Sequence, residues 1–548
     1  MGTPGISKRR LFKGAAALGL AAALPGLARA EGVADVAAGP FAPSWDSLMA
    51  GYQAPDWYRD AKFGIWAHWG PQCAPEDGDW YARNMYLQGQ EQYDHHLKHY
   101  GHPADTGFID VIRSWKAENF DPDALLDLYV KAGAKYFVAL ANHHDNFDTF
   151  NSKFHAWNAT RVGPKRDIIG LWAQAARARG LRFGVSNHSA HTWHWFQVAY
   201  GYDPEGPRQG ERYDAWKLTK AMSKGKWWEG LDPQELYGAR LMPLPDGFTD
   251  AKAASDWHEK HDLVWDETQP AGDPAFARHW FLRCKDLIDS YQPDLVYFDN
   301  TGLPLGQTGL DIAAHYYNAS INRHGKVDVV INGKNLSDER CAALVNDMEH
   351  GLRSVIEPHA WQTDTCIGGW HYSRPLYERN GYRSAAEVIH ELCDVVSKNG
   401  NLLLSVPVRS DGTIDEKETA IVEGIGSWMA RFSEAIYGTR PWRIAGEGPT
   451  IVVAGQFSES KTKAFTPADI RFTTKNDALY AMTLGRPEVD SLTIASLSDG
   501  RVERVEVVGA VAPLSFKQET NGLTVSLPQG SSHEFGVALK IMGKGIVI

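Results

Sequence analysis

The chain has 548 residues, 43% of them hydrophobic and 22% charged, with a formal net charge of −11. This composition is globular and excludes a largely disordered chain. The acidic balance argues against nucleic acid as the main partner, because phosphate binding needs a basic surface. Tryptophan, at 20 residues, nearly equals tyrosine and phenylalanine at 21 each, and histidine also stands at 21. Flat indole faces stack on sugar rings and imidazoles hydrogen-bond hydroxyls, although an aromatic-rich core accounts for the same count. Cys73, Cys284, Cys341, Cys366 and Cys393 lie far apart with no C-x-x-C pair. That spacing argues against a disulfide framework or a structural zinc site and leaves one incidental disulfide open.

The first predicted element is an export leader over residues 1–30. It combines the basic start Ser7-Lys-Arg-Arg-Leu-Phe-Lys13, a short apolar stretch Gly14–Leu27 and the cleavage pattern Ala28-Arg-Ala30. The pair Arg9-Arg10 resembles a twin-arginine signal. It predicts a periplasmic or secreted protein with no membrane association after cleavage.

From 44 to 440 short apolar runs alternate with helical stretches. Strands are predicted at Lys62–Trp69, Lys135–Ala141, Leu181–Val185, Leu295–Phe298, Val327–Ile331 and Asn401–Val406. Helices are predicted from Asp121 to Gly133, with Asp121 as N-cap and Pro122 at the first position, and at Ile168–Arg179, Phe276–Tyr291, Ile312–Arg323 and Ser384–Lys398. Six strands alternating with helices predict parallel βαβ units, and over about 400 residues they favour an α/β fold of the (β/α)8 TIM-barrel type. No G-x-G-x-x-G follows the first strand, which weakens a dinucleotide-binding alternative. The charged, Trp-bearing stretch 203–274 reads as a loop insertion. Over 441–548, β-branched runs at Thr450–Val453, Ile470–Thr474, Ala478–Thr483, Ser491–Ala495, Val502–Val508 and Leu523–Leu527 predict a C-terminal all-β sandwich.

Barrel active sites lie at the C-terminal ends of the strands. Five predicted strand ends there are polar: His68-Trp69-Gly70, Asn142-His143-His144-Asp145, Asn187-His188, Asp299-Asn300 and Asn332. Histidines beside a carboxylate also suit zinc or iron, but no H-E-x-x-H spacing is present. A serine hydrolase is excluded by the lack of G-x-S-x-G. Histidines, tryptophans and a carboxylate at a barrel mouth suit glycoside hydrolysis, which usually needs two carboxyl groups across the scissile bond.

The chain resembles the α-L-fucosidases of glycoside hydrolase family 29. The resemblance is carried by Trp57–Ile65 with His68-Trp-Gly70, Asp79–Met85, Gly133–Tyr136, His143-His144-Asp145 and Gly163–Ile168. It continues through Pro293–Asp299, Trp361–Gly368, Val395–Leu404, Asp411–Ile414 and Glu434–Trp442. It implies a barrel followed by a β-sandwich, a retaining mechanism with a covalent glycosyl-enzyme intermediate, no metal or other cofactor, and a fucosylated oligosaccharide or polysaccharide as partner. A homo-oligomer is left open. By match to the family, Asp299 is the nucleophile, His68, His143 and His144 bind fucose hydroxyls, Trp80 lines the pocket and Tyr297 stands where a Trp is common. His188, His350 and Gln362 join them as expected substrate-binding residues.

Three positions depart from the family pattern. The common Trp-Glu, whose Glu serves many members as acid/base, is Trp361-Gln362; the Glu before Trp-Tyr is Asp79; the Arg after Asp-x-Glu is His350. An amide has no proton to give at neutral pH, so Asp79 becomes the leading acid/base candidate, with Glu349, Glu357 and Asp364 behind it. The alternatives are an exo-glycosidase for a related sugar such as α-L-galactose, or a sugar-binding protein whose catalysis is impaired, the latter motivated by Gln362.

Overall fold

The computed structural model describes residues 36–547 apart from 264, 266, 488, 511, 529 and 531. The leader expected over 1–30 lies outside the described residues. Eight parallel strands close into a barrel in chain order: β1 (Phe63–Ala67), β2 (Tyr136–Asn142), β3 (Arg182–Asn187), β4 (Leu295–Thr301), β5 (Val330–Lys334), β6 (Val345–Glu349), β7 (Trp361–Cys366) and β8 (Gly400–Ser405). Pairing of β1 with both β2 and β8 makes the closure.

Helices follow the predicted signals. Pro122–Lys131 starts where the Asp121 carboxylate accepts the Ala124 N–H at 3.1 Å, and it stops before Gly133, whose φ of 99° suits glycine. Ile168–Ala178, Ala275–Tyr291, Gln307–His324, Ala385–Ser397 and Glu416–Phe432 complete the outer layer around β2 to β5 and β7 to β8. β6 and β7 are the two strands that the sequence reading did not find. Only the 3-10 turn Arg340–Ala342 separates β5 from β6, and no helix separates β6 from β7, so the alternation that revealed the others is broken there. Their residues are also polar, since Asp347, Glu349, Gln362 and Asp364 face the barrel interior instead of aliphatic side chains.

Strand residues two apart share a face, and this sets the barrel's layers. Trp66, Tyr136, Val138, Leu295, Tyr297, Val330, Val345 and Leu403 pack together inside the barrel. The next inward position upward on several strands is polar: His68, His188, Asp299, Lys334, Glu349 and Asp364. An apolar plug thus supports a polar ceiling.

The C-terminal region forms two antiparallel sheets, one of five strands in the order β13-β16-β11-β10-β9 and one of three in the order β12-β15-β14. Its strands are β9 (Arg440–Glu447), β10 (Ile470–Lys475), β11 (Ala478–Thr483), β12 (Ser491–Ile494), β13 (Arg501–Val507), β14 (Phe516–Glu519), β15 (Gly522–Ser526) and β16 (Ala538–Lys544). The strand expected at Thr450–Val453 is instead a loop. Ile451 there is 85% exposed, so its β-branched run has no sheet to pack on. The insertion at 203–274 carries short helices at Asp214–Lys217, Pro233–Leu236 and Ala251–His261. All five cysteines are free thiols. Among the described residues no helix is long and apolar enough to cross a membrane.

Candidate active site

A cavity of about 690 Å³ opens at the C-terminal ends of the strands. Trp66, His68, Asp79, Trp80, His143, His188, Tyr297, Asp299, Lys334, Glu349, Asp364 and Trp370 line it. Trp265 reaches it from the insertion, and Gln456 and Phe457 reach it from the C-terminal region. The last two arrive because the loop before β10 crosses the top of β6. Phe457 N–H donates to the Glu349 carbonyl at 2.8 Å, Ser458 N–H to His350 at 2.8 Å and Gly455 N–H to Leu352 at 3.0 Å.

Asp299 ends up at the centre of this cavity because it lies two residues beyond the buried Tyr297 on β4 and shares its inward face. His188 Nδ1 lies 3.1 Å and His144 Nε2 3.2 Å from Asp299 Oδ2, and Lys334 Nζ donates to Oδ1 at 2.5 Å. Burial alone would raise the Asp299 carboxyl. The Lys334 ammonium, and then the two histidines, overcome burial and hold the carboxyl well below its ordinary range. It is a carboxylate at any working pH.

The same ammonium donates to Glu349 Oε2 at 2.5 Å. Burial works against the charged amine, but Asp299 and Glu349 keep it protonated far above the ordinary lysine range. One cation shared by both side chains brings their nearest oxygens within about 5 Å, the spacing of a retaining carboxyl pair.

Hydrogen bonds fix two of the histidine rings. Gln72 Nε2 lies 2.8 Å from His143 Nδ1, and His144 Nδ1–H donates to the His188 carbonyl at 2.7 Å. Burial, reinforced by neighbouring imidazoles, pushes His68 and His143 well below the ordinary histidine range. Burial also lowers His188 to about 4 against the opposing pull of Asp299. His143, His144 and His188 each bring a ring atom within 4.8 Å of the others. That spacing fits the hydroxyls of a sugar, and it would also fit a metal ion.

Asp79 lines the cavity, but its oxygens are engaged. Oδ2 accepts the Trp370 N–H at 3.0 Å, and Oδ1 accepts the His371 N–H at 2.6 Å and lies 3.2 Å from His371 Nδ1. The carboxylate therefore ties down the loop that carries Trp370. The adjacent Trp80 takes a φ of 60°, a region few residues other than glycine occupy, and its indole lines the cavity.

Three expected sugar-binding residues, His144, His350 and Gln362, do not line the cavity, which corrects the sequence reading; His144 stands behind the lining with its Nε2 3.2 Å from Asp299. Gln362 is buried beneath the cavity, two residues before Asp364 on β7. Its Oε1 accepts from Tyr58 and Tyr136 at 3.1 and 3.2 Å, and its Nε2 donates to Asp347 at 2.8 Å. His350 sits behind Trp370, ring centroids 4.8 Å apart, with Nδ1 2.7 Å from Glu459 Oε1. Its backbone φ of 44° turns the chain so that Glu349 faces the cavity and His350 does not.

A family model described as Alpha-L-fucosidase matches residues 29–434, and one described as Alpha-L-fucosidase C-terminal domain matches residues 463–542. The chain belongs to the α-L-fucosidase family. It is a glycoside hydrolase with the family's two-part architecture. Tissue alpha-L-fucosidase of Homo sapiens is 26% identical over 517 residues, 92% of each chain. Alpha-L-fucosidase of Dictyostelium discoideum is 23% identical over 510 residues, 90% of this chain and 93% of that one. The Thermotoga maritima alpha-fucosidase crystal structure superposes with a TM-score of 0.64 at 24% identity, over 92% of this chain and 100% of that one, and it shares the fold.

Within this fucosidase-family pocket, the sequence reading missed Trp66, Lys334, Trp370, Gln456 and Phe457. Lys334 had a usable signal, since it stands two residues after the singled-out Asn332 on β5 and must share its face. Gln456 and Phe457 had none, because their place depends on how the C-terminal loop lies over β6.

Proposed function

We propose that the protein is an exported, retaining exo-α-L-fucosidase acting on terminal fucose of oligosaccharides or polysaccharides, with Asp299 as nucleophile and Glu349 as acid/base. The carrying observation is the pair of carboxyl groups joined through Lys334 within about 5 Å. Asp299 attacks the anomeric carbon while Glu349 protonates the departing glycosidic oxygen. Once Asp299 is esterified its charge is gone, Lys334 has Glu349 as its remaining partner, and Glu349 then takes the proton of the attacking water. His68, His143 and His188 hold the sugar hydroxyls, and Trp66, Trp80 and Tyr297 supply apolar wall.

Gln362 no longer motivates a catalytically impaired protein, since that amide lies below the pocket and not across the scissile bond. One observation favours the related-sugar reading. Asp364 lines the cavity with a buried, unpartnered Oδ1. Burial, then the neighbouring Asp347, raises its carboxyl well above the ordinary range. Such a group would offer the extra C6 hydroxyl of α-L-galactose a hydrogen-bond partner.

The test is turnover of purified protein on aryl α-L-fucosides, α-L-galactosides and fucosylated oligosaccharides, with product configuration followed by NMR. Release of α-configured fucose first supports retention; β-fucose first, or preference for the galactoside, would replace the reading. Asp299→Ala should lose several orders of magnitude in kcat. Activity should survive chelation, and a stoichiometric metal lost in His143→Ala or His188→Ala would overturn the hydroxyl-binding role of the histidines. Export by the Arg9-Arg10 leader is tested by fractionation of cells carrying a lysine pair at those positions.

A further inference from the structure

A second cluster of coordinating side chains lies outside the catalytic cavity. His155 comes from the loop after β2, Glu235 from the short helix Pro233–Leu236 of the insertion, and His279 from the helix Ala275–Tyr291 after β3. One donor atom from each lies within 4.8 Å of the others. None of the three lines the catalytic cavity.

His155 is the telling residue. It is only 1% exposed, its Nδ1 faces only the Glu235 carboxylate, and its Nε2 has no hydrogen-bond partner. A buried ring nitrogen left unpaired is costly, so its presence calls for a ligand or a special role. Its Nδ1 looks across 3.4 Å at Glu235 Oε1, and His279 Nε2 lies 3.9 Å from the same oxygen. Donors bound tetrahedrally at about 2.0–2.1 Å stand roughly 3.3 Å apart, so the 3.4 Å pair already fits and the remaining separations would have to close by about 0.6–1.5 Å. His279 Nε2–H donates to the Phe154 carbonyl at 2.7 Å, a bond the ring would exchange for the metal on binding. The side chains of Glu235 and His279 are each about one-third exposed (32% and 31%), which leaves a way in from solvent. Arg283, whose charge acts on both Glu235 and His279, is already paired with Asp148 at 2.6 Å and with the Asn146 side chain.

We propose that His155, Glu235 and His279 form a zinc site that staples the insertion to the barrel. Two imidazoles and one carboxylate are a donor set for Zn²⁺ and not for Ca²⁺ or Mg²⁺, which take oxygen. The staple joins three elements that otherwise meet through hydrogen bonds such as Asn146 Nδ2–H to the Glu235 carbonyl at 2.9 Å and Trp157 Nε1–H to Asp232 at 2.7 Å. The loop it holds begins at His143 and His144. Its role is stability of that loop, and the chemistry at Asp299 does not pass through it.

The experiment uses the full-length protein stripped with chelator and titrated with ZnCl₂ by calorimetry, with Tm followed in parallel. One equivalent should bind, Tm should rise, and His155→Ala and His279→Ala should each weaken binding at least about tenfold. His188→Ala should keep the site. Loss of binding in His188→Ala would place the metal in the catalytic cavity and overturn the proposal. No binding at all, or equal binding in a His155→Ala/His279→Ala double variant, would overturn it as well. Co²⁺ offers a readout on wild type alone, independent of how the variants fold: tetrahedral coordination gives strong visible absorption, and an aqua-ion spectrum counts against the site. Turnover under chelation reports separately on the fucosidase reading.

Discussion

At the residue scale the pocket separates groups that hold charge from groups that hold geometry. Asp79 and Glu349 both line the cavity, but only Glu349 shares Lys334 with Asp299. Glu349→Ala should lose about 10²–10⁴-fold on natural disaccharides and far less on aryl fucosides with acidic phenols, whose leaving groups need little protonation. Asp79→Ala releases the Trp370–His371 backbone and should slow both substrate types alike, by about 10–100-fold, the cost of buried donors left unpaired. The opposite pattern of leaving-group dependence in steady-state kinetics would return the acid/base role to Asp79. The histidines set the acidic edge of activity. His68 and His143 are held neutral well below the ordinary range and His188 down to about 4. kcat/KM should therefore hold as pH falls through 6 and decline only toward about 4. An acidic limb between pH 6 and 7 would show that a ring of ordinary basicity is in use.

At the element scale the insertion is anchored through its first helix, Asp214–Lys217. Asp214 is buried and accepts from Tyr86 Oη–H at 2.8 Å and Tyr237 Oη–H at 2.5 Å. Burial raises its carboxyl to about 7, against the pull of those two hydroxyls. A carboxyl raised in the folded state stabilises the fold below its unfolded value near 3.8, and that contribution is lost as pH rises through about 7. Each unit of separation is worth about 1.4 kcal/mol. Asp214→Asn should therefore fall short of wild type most at pH 5, and the gap in denaturant midpoint should narrow by pH 8. A widening gap would mean that the ionised carboxylate is the preferred partner. Elements with terminal signals were legible in the sequence. The Ser384 capping box opens Ala385–Ser397, and Asp121-Pro122 opens Pro122–Lys131. β6 and β7 were not legible, because a strand that faces a polar active site loses the apolar run by which buried strands are recognised.

At the scale of the whole molecule the C-terminal sheets are part of the active enzyme. Their loop supplies Gln456 and Phe457 to the cavity, and Arg471 of β10 reaches into the barrel's outer helix. There, Arg471 Nε–H donates to Asp394 Oδ1 at 2.6 Å, and the Lys398 ammonium holds the same carboxylate at 2.7 and 2.6 Å. Removing the shared anion leaves two buried cations. Asp394→Ala should cost about 3–5 kcal/mol in stability by chemical denaturation, with the barrel and the sheets losing structure together. A loss below 1 kcal/mol would mean that water reaches those cations freely.

Local patterning determined most of the architecture. Caps, breakers and apolar runs mark six of the barrel strands and their helices, and motif spacing carried the family and placed Asp299 at a strand end. Tertiary structure decided what those residues do for one another. That Gln362 lies below the cavity and Glu349 within it follows from which face each strand turns inward once the barrel closes. That Lys334 joins two carboxyl groups from different strands, and that a C-terminal loop covers β6, depends on contacts between segments far apart in the chain. Local sequence specifies the period and ends of an element; the register between elements is set only when the barrel and the sheets pack.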